Sequence, residues 1–187
     1  MNNYSIALFL HVLGALGFFV VLGLEWIGLS KLRSAILAEK AHTIVEILKS
    51  TDRLGTVSML TIVVTGFYML LTVWGWVAWI LVVLGALVLD SVLFVALTRP
   101  RMAAIERALT AEKGSVSQTF TSLVNHPVLW ISARARAAIV LGIILLKFTK
   151  PDLGGSLLTI GVAIVLGLAS ALPVLRRERA QEGLSAD

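Results

Sequence analysis

Apolar residues fill five stretches of this chain, at 4–29, 56–73, 76–97, 128–148 and 153–175, with polar segments between them. A bilayer core of roughly 30 Å needs about 20 apolar residues per helix, so stretches of this length read as crossings. A crossing segment must satisfy its own backbone groups, and unbroken apolar runs are the helical solution to that demand. The pattern predicts an all-α, polytopic membrane bundle of five transmembrane helices. The second and third stretches nearly merge. Gly75, between Trp74 and Trp76, offers a turn, and the joined run is about twice one crossing, so two helices are expected. The fourth stretch is the weakest, because its unbroken apolar part is only 137–146 and two arginines precede it.

The two longer connections carry patterns of their own. Leu32, Ile36, Ile44 and Leu48 recur at near-helical spacing among charges, which predicts an amphipathic helix lying on the membrane surface. Residues 102–112 read as another helix stopped by Gly114. Ser115 with Gln118 has the form of a capping box, and Asn125-His126-Pro127 reads as the start signal of the fourth crossing. No repeat, low-complexity tract or domain boundary is visible.

Composition agrees with a membrane setting. The chain has 187 residues, room for one domain, with 58% hydrophobic and 14% charged residues and no cysteine. Its mean hydropathy of +0.93 exceeds what a soluble chain of this size can bury. Without cysteine there are no disulfides, thiolate metal sites or cysteine nucleophiles. The net charge is +5 and the pI near 10.0, which in a soluble protein would suggest nucleic acid. Here the basic residues lie between apolar runs, so they orient the chain in a bilayer instead, and no nucleic-acid partner is implied.

Fourteen of the 16 lysines and arginines fall at one end of the crossings, in 30–55, in 98–127, in the tail after 175, and at Arg134 and Arg136. Only Lys147 and Lys150 fall at the other end. The positive-inside rule then places the N-terminus outside and the C-terminus in the cytoplasm, which five crossings require. Trp74, Trp76 and Trp79 are expected at the outer interface, Trp26 and Trp130 at the inner one. The N-terminal residues Met1-Asn2-Asn3-Tyr4 lack a basic segment and the following run is long for a signal peptide, so it reads as the first crossing. The expected location is a bacterial cytoplasmic membrane, with the lipid bilayer as the first partner and another copy or another membrane protein as a further one.

Ionisable groups inside hydrocarbon cost several kcal/mol, about 2.5–3.5 on insertion scales, and so mark polar interiors. Counting about 1.5 Å of rise per residue, Glu25, Asp90, Arg134 and Arg136 share one inner layer, roughly 6–12 Å from the cytoplasmic end. Arg134 and Arg136 project to nearly opposite sides, so at most one points directly at the carboxylates. The layer reads either as an ion pair that fixes helix packing or as a substrate or proton site. Glu25 beside Trp26 also reads as a solvated end residue.

Two helical faces carry the remaining polar signal. His11, Gly14, Phe18, Val21 and Glu25 step by three and four along the first crossing, with His11 roughly 10 Å below the outer surface. Ser58, Thr61, Thr65, Tyr68 and Thr72 do the same along the second, and Tyr68 comes out near the depth of His11. The hydroxyls serve either as helix-packing groups bonded to their own i−4 carbonyls or as the wall of a polar pocket. The small stripe Ala163, Gly167, Ala171 in the fifth crossing reads as a packing surface, with Pro173 bending its end.

Haem is the cofactor that a histidine inside a small helical bundle suggests. His42 and His126 are at the far end, so ligation would be by His11 alone, by His11 with Met69, or by His11 of two copies. No cluster fits a non-haem metal, and no nucleophile–base pattern, phosphate loop or dinucleotide fingerprint is present. Whether the chain is an enzyme stays open. Three classes remain: a redox or porphyrin-handling protein centred on His11, a small transporter or proton pathway, and a non-catalytic subunit or assembly factor.

The segment F-L-H-V-L-G-A-L at 9–16 resembles the start of a family of bacterial integral membrane proteins catalogued as domain of unknown function 2269. K-F-T-K-P-D-L-G-G-S-L at 147–157 is similar to a second stretch of that family. The likeness covers most of the chain in hydropathy and is motif-specific only in these two stretches. The first-helix pattern more distantly resembles the copper-resistance D membrane family and a membrane protoporphyrinogen-oxidase-like family. In the latter a first-helix histidine is implicated in haem binding, which implies that role for His11 alone. The third crossing lacks a matching second functional residue and has Asp90 instead, so the resemblance implies no specific oxidase activity.

Overall fold

The computed structural model describes residues 2–112 and 114–171, and all of their regular structure is helical. Helix α1 spans Asn3–Arg33 and α2 spans Ala38–Met69, prolonged by a wide π-helical turn at Leu70–Trp74. Helix α3 spans Ala78–Leu93 and passes through a second π-helical turn, Phe94–Thr98, into α4, Arg99–Thr110. Three helices follow: α5 at Gln118–Asn125, α6 at Pro127–Thr149 and α7 at Leu153–Ala169. Four of the resulting rods, Asn3–Arg33, Ala38–Trp74, Ala78–Thr110 and Gln118–Thr149, are long and apolar enough to cross a membrane, while α7 is shorter. Phe9 at 61% and Leu16 at 59% exposure on α1 belong in lipid, not water. The chain is a membrane protein. The expected last residues of the fifth crossing, Pro173 and the basic tail lie outside the described residues.

The chain divides into two compact units. In the first, which holds residues 2–77 and 109–117, α1 and α2 form an antiparallel hairpin. Their contacts keep one register along its length: Gly28 meets Leu48, Val21 meets Gly55, Gly17 meets Ser58, and His11 meets Gly66. At Gly14 an added Cβ would lie 3.1 Å from the Ser58 carbonyl oxygen, so the two backbones approach closely there. The buried positions of α1 include Gly14, Phe18 and Val21, the face that the spacing predicts.

The first connection differs from expectation. Helix α2 begins at Ala38 and continues straight into the crossing, so no separate surface helix is formed. At about 1.5 Å per residue the rod outlasts a 30 Å core by many ångströms. Nothing between 38 and 55 breaks it, and Ala41, Val45 and Leu48 bury its inner face. The same holds for 102–112, which continues the third crossing as α4. Pro100 is accommodated there because the preceding π-helical turn widens the helix where a proline cannot donate and its ring would crowd a carbonyl.

The expected capping box is also absent. Ser115 instead pairs with Leu37 as an isolated antiparallel bridge, with the Ala38 amide donating to the Gly114 carbonyl at 2.8 Å and the Val116 amide to the Ile36 carbonyl at 3.0 Å. The Ser117 amide donates to the Glu112 carboxylate at 3.1 Å. Gly75 does end the second rod, at φ 68°, a conformation that glycine adopts without a Cβ penalty.

In the second unit α3, α6 and α7 pack on one another around Ala86, Ile139, Leu146 and Ile160. The α6–α7 contact is close: a Cβ on Gly167 would lie 2.9 Å from the Ala138 Cβ and 3.1 Å from the Ala135 Cα. That confirms the small stripe as a packing surface. The Asn125-His126-Pro127 start signal stands as read, with His126 capping the Val128 amide and Pro127 in the first turn. Trp130, expected at the inner interface, is buried at 4% exposure and donates its indole N–H to the Val124 carbonyl at 3.0 Å. A buried indole needs an acceptor, and the α5–α6 corner supplies it.

Between α6 and α7 the chain turns at Lys150, which takes a left-handed conformation at φ 44°. Asp152 then accepts from the Gly155 amide at 2.8 Å and starts α7. The K-P-D-L-G-G-S motif is therefore a helix stop followed by a helix start.

Candidate functional site

His11 lies half-buried on the face of α1 that meets α2, opposite Ile62, Thr65 and Gly66. Its Nδ1 is 3.1 Å from the Ile62 carbonyl oxygen and 3.1 Å from the Thr65 hydroxyl. Thr65 donates in turn to the Thr61 carbonyl one turn back. Gly66 makes room for the ring, because a Cβ there would lie 3.1 Å from the His11 Cε1. Ile62, through its carbonyl, and Gly66 were not legible as site residues. The available signal was positional, since both lie beside Thr65 on the face that α1 covers.

The hydroxyl stripe resolves into two roles. Thr61 donates to the Val57 carbonyl at 2.8 Å and Thr72 to the Tyr68 carbonyl at 2.8 Å, the back-bonded packing arrangement. Ser58 is buried against Gly17. Thr65 reaches the histidine. Tyr68, expected to wall a pocket with His11, is 38% exposed, while Met69 is buried at 7%. The structure joins His11 to Thr65 and places Tyr68 and Met69 one turn farther along α2.

The second polar centre lies wholly within the other unit. Asp90 of α3 faces Arg136 of α6, with Oδ1 3.7 Å from Nε and both side chains almost fully buried. The Arg136 guanidinium carbon also sits 4.6 Å from the centre of the Phe94 ring, a cation–π contact in an apolar setting. One turn away, the hydroxyls of Thr98 and Ser132 lie 2.9 Å apart, both buried. Ser132 is also 3.4 Å from the Leu93 carbonyl, at the start of the π-helical turn. Of the two arginines, Arg136 has its Nε 3.7 Å from Asp90. Arg134 is half-buried on the same helix, and Glu25 is half-buried on α1 in the other unit.

Phe94, Thr98 and Ser132 were missed by sequence reasoning. Phe94 and Thr98 follow Asp90 at four and eight residues and Ser132 precedes Arg136 by four, so helical spacing from the charges would have found them. No group of three or more histidine, aspartate or glutamate residues positioned for a metal occurs among the described residues.

No protein-family model matches this chain, and no curated protein or solved structure matches it either. The chemistry of the two centres has to be argued from their own residues.

Proposed function

We propose that this is a five-span protein of a bacterial cytoplasmic membrane, N-terminus outside, whose His11 site on α1 and α2 holds a haem, a porphyrin or another small ligand. The observation that carries the reading is the bonding of the His11 imidazole to the Ile62 carbonyl and the Thr65 hydroxyl. A ligating histidine characteristically has its second ring nitrogen fixed by an outer group, which sets the ring plane and raises the basicity of the ligating nitrogen. The resemblance of F-L-H-V-L-G-A-L to first-helix segments of bacterial membrane families supports the same residue. The basic residues gathered at one end of the crossings support the orientation.

Purification in detergent, followed by an absorption spectrum and metal analysis, tests the reading. A Soret band present in the native chain and lost in His11→Ala is the expected result. A chain that neither carries nor takes up a chromophore removes it.

One observation favours a second reading, a small transporter or proton pathway. Asp90 and Arg136 place a titratable pair inside apolar packing, next to the Thr98–Ser132 hydroxyl pair. Transport or proton flux into vesicles, lost in Asp90→Asn with the fold intact, would select it.

A further inference from the structure

The second unit holds few charges, and their signs are unequal. From Ala78 through the π-helical turn the ionisable side chain is Asp90. On α6 stand Arg134, Arg136 and, about three turns toward the other end, Lys147, with His126 at the N-cap. The other elements packed on α3 and α6, namely α5 and α7, carry no ionisable side chain. Arg99, Arg101, Glu106 and Arg107 follow on α4, more than two turns beyond Asp90. On the elements packed here, then, one carboxylate stands against two guanidiniums in the inner layer, whatever hydrogen bonds each group makes.

A guanidinium keeps its proton in a protein, so within the buried pair Asp90 is the member whose charge changes. With Asp90 ionised the pair is neutral. A proton on Asp90 leaves the Arg136 charge in an apolar layer, against the Phe94 ring at 4.6 Å. A buried charge without a counter-charge is costly. A second negative charge beside Arg136 removes that cost, whereas a metal cation would add to it.

We infer that the Asp90–Arg136 centre takes up a proton and a small monovalent anion together. The proton goes to the Asp90 carboxylate, and the anion takes the place beside Arg136 that this carboxylate now holds, 3.7 Å from Nε. Ser132 lies one turn before Arg136 on α6, and its hydroxyl is 2.9 Å from that of Thr98. Hydroxyls rotate to donate or accept, so this pair supplies further donors to the anion. Phe94 and Thr98 both stand on the π-helical turn, a helix irregularity that recurs at functional sites. As a transport step the inference rests on the pathway reading, whereas as a binding site it does not.

Unfolding of the full chain in detergent micelles, in sodium nitrate and in sodium gluconate at equal ionic strength, tests the site. The dependence of the midpoint on nitrate gives the affinity at each pH. Nitrate is expected to bind about tenfold tighter at about pH 5 than at about pH 8, because proton and anion strengthen each other by one factor. D90N, neutral at every pH, is expected to bind nitrate equally at both. D90L combined with R136M is expected to lose the nitrate effect. Native binding that ignores pH, or a nitrate effect that survives in the double variant, overturns the inference. A pH dependence that persists in D90N overturns Asp90 as the place of the proton. In vesicles carrying the native chain, an inward nitrate gradient is expected to acidify the lumen. Binding that depends on pH without acidification upholds the site and removes the pathway reading. Proton flux that ignores nitrate, without such binding, keeps the pathway reading and overturns the inference.

Discussion

The Asp90 carboxylate and the Arg136 guanidinium face each other at 3.7 Å from two different helices, both almost entirely out of contact with solvent. Desolvating two charges costs nearly as much as their attraction returns, so such a pair adds little net stability while both members are present. Removing one member is different, because the other charge stays buried. Asp90→Ala is expected to destabilise the protein by about 3–5 kcal/mol. The double variant Asp90→Leu with Arg136→Met is expected to recover most of that loss. Unfolding in mixed micelles, compared across the cycle, measures both. Full recovery with retained transport would remove the pathway reading of this pair.

The Thr98 and Ser132 hydroxyls, 2.9 Å apart and buried, form a smaller test of the same region. Thr98→Val or Ser132→Ala alone is expected to cost about 1–3 kcal/mol, because each leaves a buried polar partner behind. Their joint loss should cost clearly less than the sum, and an additive result would mean that the two hydroxyls do not interact.

Gly66 touches the His11 ring, so a methyl group there would press on Cε1 from 3.1 Å. Gly66→Ala is expected to tilt the imidazole and weaken hemin binding by about tenfold, with little change in unfolding. Equal loss of binding and of stability would place the effect in helix packing instead.

Gly167 and Gly14 set the two helix–helix approaches. Gly167→Leu is expected to force α6 and α7 apart at Ala135 and Ala138, costing about 1–3 kcal/mol. Gly161, which has open space around it, serves as the control, and Gly161→Ala should unfold as the native chain does. Equal effects at the two positions would contradict the contact.

At the start of α7, Asp152→Ala removes the side-chain acceptor of the Gly155 amide. The expected cost is about 1 kcal/mol, read by the same unfolding assay, with Asp152→Asn retaining most of the stability.

Hydropathy by itself determined that the chain is helical and membrane-embedded, because a run of about 20 apolar residues has few other stable states. Local chemistry determined the turn at Gly75 and the α6 start at His126-Pro127, since a positive φ and a missing amide proton are properties of single residues. Three-four spacing determined the α1 face of Gly14, Phe18 and Val21. The tertiary structure decided the rest, where the outcome depends on what each element meets. The segments 32–48 and 102–112 read as surface helices because amphipathic spacing looks alike on a membrane and against a neighbouring helix. Trp130 carries an amphipathic ring suited to an interface, and only packing revealed that its N–H finds the Val124 carbonyl. Arg136 meets Asp90 because helix rotation, set by close packing at residues such as Gly142 and Gly167, aims it at α3. The sequence marked His11. The Ile62 carbonyl and the Thr65 hydroxyl that fix its ring lie more than 50 residues away, and backbone acceptors leave no trace in a pattern of side chains.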